Sequence, residues 1–94
     1  MRDSILLILL RSYTPLTARD IATRMEGDAA EVARHCSSLL GKGLLFVDGD
    51  RRFGTSLFPM WALTSAGEHV AREVKAARNA AALLGTEKPV EVES

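Results

Sequence analysis

Residues Asp28 to Leu45 read DAAEVARHCSSLLGKGLL, and their pattern decides the fold. Asp28 can cap a helix start, its side-chain oxygen accepting a free backbone N–H, and Glu31 stands three residues on, the capping-box spacing. Ala29, Val32, Cys36, Leu39 and Leu40 recur at helical intervals and mark one apolar stripe. Gly43 offers a left-handed stop, after which Leu44-Leu45-Phe46-Val47 is a short apolar run with strand character. The stretch is therefore a helix over 28–42 that turns at a glycine into a strand. At about 100° per residue, the face opposite the stripe shows Ala30, Glu31, Arg34, Ser37, Ser38 and Gly41, with Arg34 near its centre. Small residues around one arginine suit a helix that lies close against a partner.

Size and charge bound what that partner can be. Ninety-four residues with 47% apolar content suit one domain with a modest core. So short a chain has little spare stability, which favours self-association through any apolar face left over. Twelve basic residues balance twelve acidic ones, so overall charge gives no electrostatic pull toward nucleic acid. Setting aside the stretch from Gly85 leaves eleven basic and nine acidic residues in the body. A single cysteine excludes an internal disulfide framework and fits a reducing cytoplasm.

Upstream, Ile5 to Leu10 is an apolar run too short for a membrane span, and Asp3 argues against an export signal. It reads as a helix over about 3–12, apolar nearly all round and hence sandwiched between layers. Pro15 pushes Thr14 out of the helical region. Thr17-Ala18-Arg19-Asp20 restarts a helix in capping-box style, with Ala18, Ile21, Ala22 and Met25 turned inward. It stops near Glu26-Gly27, and a tight link leads to Asp28. A short helix, a turn containing glycine and a longer helix have helix-turn-helix geometry.

Downstream, Asp48 to Pro59 reads as a long loop between two strands, marked by Asp48-Gly49 and Gly54, with a mobile or partner-ordered tip. Met60-Trp61-Ala62-Leu63 is the returning strand. Ser65-Ala66-Gly67-Glu68 is a third capping box and opens a last helix to about Leu84. Val70, Val74, Ala77, Ala81 and Leu84 space as a heptad seam. Residues 85–94, with Pro89 and alternating acidic residues, read as a flexible acidic tail.

Particular residues now resemble a known family. Pro15 to Ala22 resembles the second-helix entry of winged helix-turn-helix transcription regulators of the ArsR, MarR and PadR kind. Glu31 to Leu39 is similar to their recognition helix, and Leu40-Gly41-Lys42-Gly43-Leu44-Leu45 to their turn into the first wing strand. Trp61-Ala62-Leu63-Thr64-Ser65-Ala66-Gly67 resembles their aromatic-x-L-T-x-x-G junction before the final helix. The chain departs from them in carrying Cys36 where leucine is usual, Glu31 on the recognition helix, and no metal-sensing Cys-x-Cys or His/Asp cluster.

The resemblance implies a mainly α fold with a small β-hairpin, over 1–84, in the order helix, helix, helix, strand, strand, helix. It implies a sequence-specific DNA-binding regulator, with double-stranded DNA as partner and helix 28–42 in the major groove. Arg34 would meet base edges with Ala30, Glu31, Ser37 and Ser38 around it. Thr17 and Arg19 would meet the backbone, and Arg51 and Arg52 the backbone or minor groove. Val70, Val74, Ala77, Ala81 and Leu84 would join two copies into a homodimer, although the same seam could pack back on Ile5–Leu10. A cytoplasmic location follows, with no membrane, metal ion or cofactor expected. For Arg51 and Arg52, flanked by Asp48 and Asp50, a merely solvated turn is an equal reading. The alternative function is a winged-helix protein-interaction module without specific DNA binding, favoured by neutral charge, Glu31 and the apolar wing residues Phe53, Leu57 and Phe58. Enzyme activity is not expected, because no glycine-rich phosphate loop, metal-ligand set, catalytic residue or nucleophile–base pair is present.

Overall fold

Proline keeps the chain extended after the first helix, and caps and glycine turns time the rest. The computed structural model describes residues 1–87, with side chains through residue 82. Helix α1 (Arg2–Arg11) closes at the extended residue Ser12, and Pro15 keeps the chain extended into a short strand, β1 (Leu16–Thr17). Helix α2 (Ala18–Met25) starts with the expected reciprocal cap. Thr17 Oγ1 accepts from the Asp20 N–H at 3.1 Å, and Asp20 Oδ2 accepts from the Thr17 N–H at 3.2 Å. It ends where Glu26 turns left-handed, φ 56°, and the Gly27 N–H reaches the Ala22 carbonyl at 2.8 Å.

Helix α3 (Ala29–Gly41) follows at once, with Asp28 at the cap position. The expected Asp28–Glu31 capping box is not formed, since Asp28 makes no side-chain cap bond. Asp28 is exposed, so water can satisfy the free N–H groups of this first turn. At the other end the glycine stop is as expected. Gly43 takes φ 77°, its N–H reaches the Leu40 carbonyl at 3.0 Å, and the Leu44 N–H reaches Leu39 at 3.0 Å. That pair of bonds closes a Schellman turn.

The wing differs from expectation. Strand β2 (Leu45–Phe53) and strand β3 (Ser56–Leu63) pair antiparallel almost to their tips, joined by the turn Gly54-Thr55 with Gly54 at φ 63°. The long loop expected over Asp48–Pro59 is therefore replaced by strands. Asp48-Gly49 is a bulge and not the hairpin tip, because the register slips between Val47↔Trp61 and Asp50↔Pro59, with Gly49 left-handed. Both faces of this hairpin are solvated beyond Val47, so it lacks the apolar alternation that reveals a strand. Strand β1 completes the sheet in the order β1-β3-β2, Leu16 opposite Trp61. At two residues it is too short to show a periodicity.

One core holds these pieces together. Ile5, Leu6 and Leu9 of α1 meet Leu16, Ile21, Ala22, Val32, Cys36, Leu39, Leu45, Trp61 and Ala71 in a single buried cluster. The first helix is sandwiched as expected, packing chiefly on α4 (Ser65–Glu87) and also touching α2, α3 and β3. Leu40 departs from its assigned stripe and is 42% exposed. Helix α4 runs three residues beyond its expected end, since a glycine inside a helical pattern costs only about 1 kcal/mol and does not by itself stop it. Residues 88–94 of the expected tail lie outside the described residues.

The start of α4 is capped by Thr64, one residue before the expected Ser65 box. Thr64 Oγ1 accepts from the Gly67 N–H at 3.0 Å and donates to the Gly43 carbonyl at 2.6 Å. The Thr64 N–H also reaches the Leu44 carbonyl at 3.1 Å. Gly67 is fully enclosed here: a Cβ added to it would overlap the Leu44 carbonyl oxygen and lie 2.8 Å from its carbon. Gly67→Ala should destabilise the protein by about 3 kcal/mol, the upper end of overpacking costs, because the obstacle is backbone. Urea unfolding measures this, and a change below about 0.5 kcal/mol, the level of an ordinary surface substitution, would contradict the close approach.

Candidate nucleic-acid interface

The exposed face of α3 is small, open and carries one strong hydrogen-bond donor. Ala30, Arg34, Ser37 and Ser38 are exposed, while Glu31 and Ala33 are half-buried. Inward residues Val32, Cys36 and Leu39 are each at most 2% exposed, which fixes the rotation of the helix and aims Arg34 outward. The Arg34 guanidinium makes no hydrogen bond or ion pair among the described residues. Its five donors therefore face solvent, in the planar fork that suits bidentate recognition.

Beside this face stands a cluster joining α2 to the wing. Arg19, in the first turn of α2, lies over the Phe53 ring with its guanidinium carbon 5.5 Å from the centroid. Arg51 sits 5.9 Å from the same centroid and pairs with Asp20, Nη1 to Oδ2 at 3.3 Å. Phe53 meets Phe58 edge-on at 5.5 Å. Arg51 and Arg52, adjacent on a strand, point to opposite faces, and Arg52 is exposed with no partner among the described residues. Thr17 is a different matter: it is 1% exposed and its hydroxyl serves the helix cap. Thr17 thus offers no side-chain surface, and the expected backbone contact there is corrected to a capping role. Between α3 and the wing lies an apolar cleft of about 330 Å³, walled by Ala29, Ala30 and Ala33 on one side and Phe58, Pro59 and Trp61 on the other.

No protein-family model matches the chain, and no curated protein is similar to it in sequence. Solved structures do match. The Lactococcus lactis ZitR C30AH42A mutant in apo form superposes with a TM-score of 0.65 at 21% identity, over 99% of this chain and 66% of that one. Rhodococcus jostii RHA1 CouR, bound to p-coumaroyl-CoA, gives 0.73 at 21% over 92% and 57%. A MarR-family transcriptional regulator from Rhodococcus sp. RHA1 gives 0.74 at 23% over 93% and 60%. The fold is a winged helix-turn-helix. The chain spans less than two thirds of the length of each of these proteins.

In the winged-helix frame, α2 and α3 are the helix-turn-helix pair and β2–β3 is the wing. The frame brings Arg19, Arg34, Arg51 and Arg52 to the α2, α3 and wing elements. The heptad residues lie elsewhere, on α4: Val70 packs against the chain's own core, Val74 is half-buried, and Ala77 and Ala81 are exposed. The side chain of Leu84 lies outside the described residues. Two participants escaped the sequence reading, namely the second bond of Asp20 and the Phe53 ring shared by two arginines. The Arg51-x-Phe53 spacing, which puts both side chains on one strand face, was the available signal.

The described residues contain no converging group of three His, Cys, Asp or Glu side chains, and no helix long and apolar enough to cross a membrane. Cys36 is fully buried, and desolvation pushes its thiol up to about 12. A raised folded-state value means the neutral thiol favours the folded state at and below pH 9, and that this contribution is lost as pH climbs from 9 toward 12. Native Cys36 should therefore react with a disulfide reagent at least about a hundredfold more slowly than in urea-unfolded protein at pH 8, since the thiolate is the nucleophile. Equal rates in the two states would contradict its burial.

Proposed function

We propose that the chain is a sequence-specific DNA-binding transcriptional regulator acting as a dimer in the cytoplasm. The observation that carries this reading is Arg34, exposed and unpaired among the described residues, at the centre of a face built, Glu31 apart, from small residues. A helix with that face can seat closely in a major groove, where small side chains let the backbone approach. Arg34 then reaches guanine O6 and N7 as a bidentate donor, worth ~1–3 kcal/mol of discrimination. Ser37 and Ser38 reach bases or phosphate, Ala30 packs on the floor of the groove, and Glu31 accepts from a cytosine amine. Arg19 and Arg52, with no ion pair among the described residues, flank the face as cations for backbone contacts. The description of structural neighbours as transcriptional regulators supports the same reading.

Dimerisation follows from α4. Its first half is occupied by the core through Ala71 and Val70, whereas Ala77 and Ala81 are exposed farther along. Two copies meeting along Val74 to Leu84 would place their reading helices on one duplex face, about 10–10.5 bp apart.

Titration of random and selected duplexes at two salt concentrations tests the central reading. Preference for the selected duplex and a linear loss of affinity with log salt are expected. No binding even at low salt would overturn it, and would leave the exposed Phe46, Val47, Leu57 and Phe58 as a surface for a protein partner. Arg34→Ala should weaken the selected site about tenfold or more, at one position of the site, with stability changed by less than about 0.5 kcal/mol. An unchanged footprint on that variant would remove Arg34 as a base reader. Sedimentation equilibrium should find a dimer, and a monomer at high micromolar concentration would exclude the α4 interface.

A further inference from the structure

The contacts between α2 and the wing separate two arginines that look alike in sequence. We propose that Asp20 is a positioning residue that fixes the wing against the α2–α3 pair, and that Arg51 serves this joint and does not neutralise phosphate. The proposal rests on the DNA-binding reading for its effect on affinity, but the joint itself is a property of the free protein.

Asp20 Oδ2 accepts from two directions. It takes the Thr17 backbone N–H at 3.2 Å, which belongs to the α2 cap, and Arg51 Nη1 at 3.3 Å, from a residue 31 positions away in the wing. The carboxylate is held by the cap, so it presents a fixed acceptor to the wing. Arg51 is further restrained by Phe53, whose ring also lies against Arg19 of the same helix turn. Little else can set the wing's angle. The bulge at Asp48-Gly49 separates its outer part from the core-facing residues, and between Asp48 and Pro59 every residue but Phe53 is exposed. Strand pairing holds β2 to β3, and β1 pairs with β3 at Met60 and Trp61, at the wing's base; the Asp20–Arg51–Phe53–Arg19 cluster ties the outer part to α2.

The same geometry decides what Arg51 can offer. A guanidinium paired to a carboxylate brings no net charge to a phosphate, whereas Arg52 on the opposite strand face is unpaired among the described residues. Phosphate neutralisation releases counterions and steepens the salt dependence; positioning does not. The sign of the Asp20 effect also discriminates. Removing an acidic group near a bound duplex ordinarily tightens binding by relieving repulsion. Removing a group that aims the wing loosens it.

Asp20→Asn keeps an oxygen for the Thr17 N–H and removes the charge that holds Arg51. On the selected duplex, Asp20→Asn and Arg51→Gln should each weaken binding about two- to fivefold, the range expected for a partly exposed ion pair. The double variant should be no weaker than either single one. The slope of log affinity against log salt should stay unchanged in Arg51→Gln and fall by about one in Arg52→Gln. Tighter binding by Asp20→Asn, additive losses in the double variant, or a slope reduced by about one in Arg51→Gln would each overturn the proposal. If the unaltered protein binds no duplex, the DNA-binding reading fails and the joint is judged alone, by hydrogen exchange of the Asp50–Phe53 amides in free protein. Faster exchange there in Asp20→Asn, with core amides unchanged, upholds the joint; unchanged wing exchange overturns it.

Discussion

The turn at Gly43-Leu44 is the junction on which the other elements depend. Four parts of the chain meet within a few ångströms there: the end of α3, the start of β2, the end of β3 and the start of α4. Leu44 donates back to Leu39 and accepts from the Thr64 N–H, while Thr64 Oγ1 bridges the Gly43 carbonyl and the Gly67 N–H. Each such bond contributes only about 1 kcal/mol net, but leaving a buried backbone group among them unpaired would cost more than the bond gains. Gly67 makes the meeting possible at all, since any side chain there would occupy the space of the Leu44 carbonyl. The aromatic-x-L-T-x-x-G sequence is therefore a description of one contact: threonine to cap and bridge, glycine to admit a neighbouring backbone.

That junction divides the molecule into a rigid and an adjustable part. Helix α3 is anchored along one side by Val32, Cys36 and Leu39 in the buried cluster, and at its end by the Schellman turn. Its outward residues are consequently placed by the core. The wing beyond Val47 has no residue in that cluster and meets α2 through surface contacts, an ion pair and guanidinium–ring contacts, which are weaker and respond to salt. On the DNA-binding reading, a base-reading element on rigid backbone with a backbone-gripping element on a softer mount is a sensible division. Base edges demand accurate placement, whereas phosphate positions vary with local duplex shape.

How much of this was legible in the sequence follows the same division. Elements that bury a face announced themselves: the α3 stripe, the capped start of α2 and the all-apolar α1 each follow from periodicity or a short-range cap. The wing did not, because a hairpin solvated on both sides has no apolar alternation, and its Asp48-Gly49 pair looks like a turn when read alone. It is a bulge because strand pairing continues past it to Gly54, a fact set by β3 and not by local residues. Strand β1 exists only through its pairing with β3. At the site, the exposed Arg34 could be named from spacing on α3. The shared acceptor at Asp20 could not, since it joins residues 31 apart. Nor could the burial of Thr17, whose type suits both a cap and a phosphate contact.

The neutral charge balance then becomes informative about how such a protein would work. Several acidic groups are matched locally: Asp3 by Arg2 at 2.9 Å, Glu68 by Arg72 at 3.7 Å and Asp20 by Arg51 at 3.3 Å. These pairs take cations out of play as well, leaving Arg19, Arg24, Arg34 and Arg52 as the arginines of the α2, α3 and wing elements with no ion pair among the described residues. On the DNA-binding reading, one copy therefore makes few phosphate contacts, and its sequence-independent affinity is low because that affinity scales with phosphates neutralised. Weak background binding raises the ratio of specific to non-specific association, the quantity that matters when a genome supplies a large excess of competing sites. The cost is that one reading helix cannot hold a site alone. Linking two copies makes the second engagement intramolecular, which recovers affinity without adding charge. On that reading, a neutral winged helix and a last helix that joins two copies would be two halves of one solution.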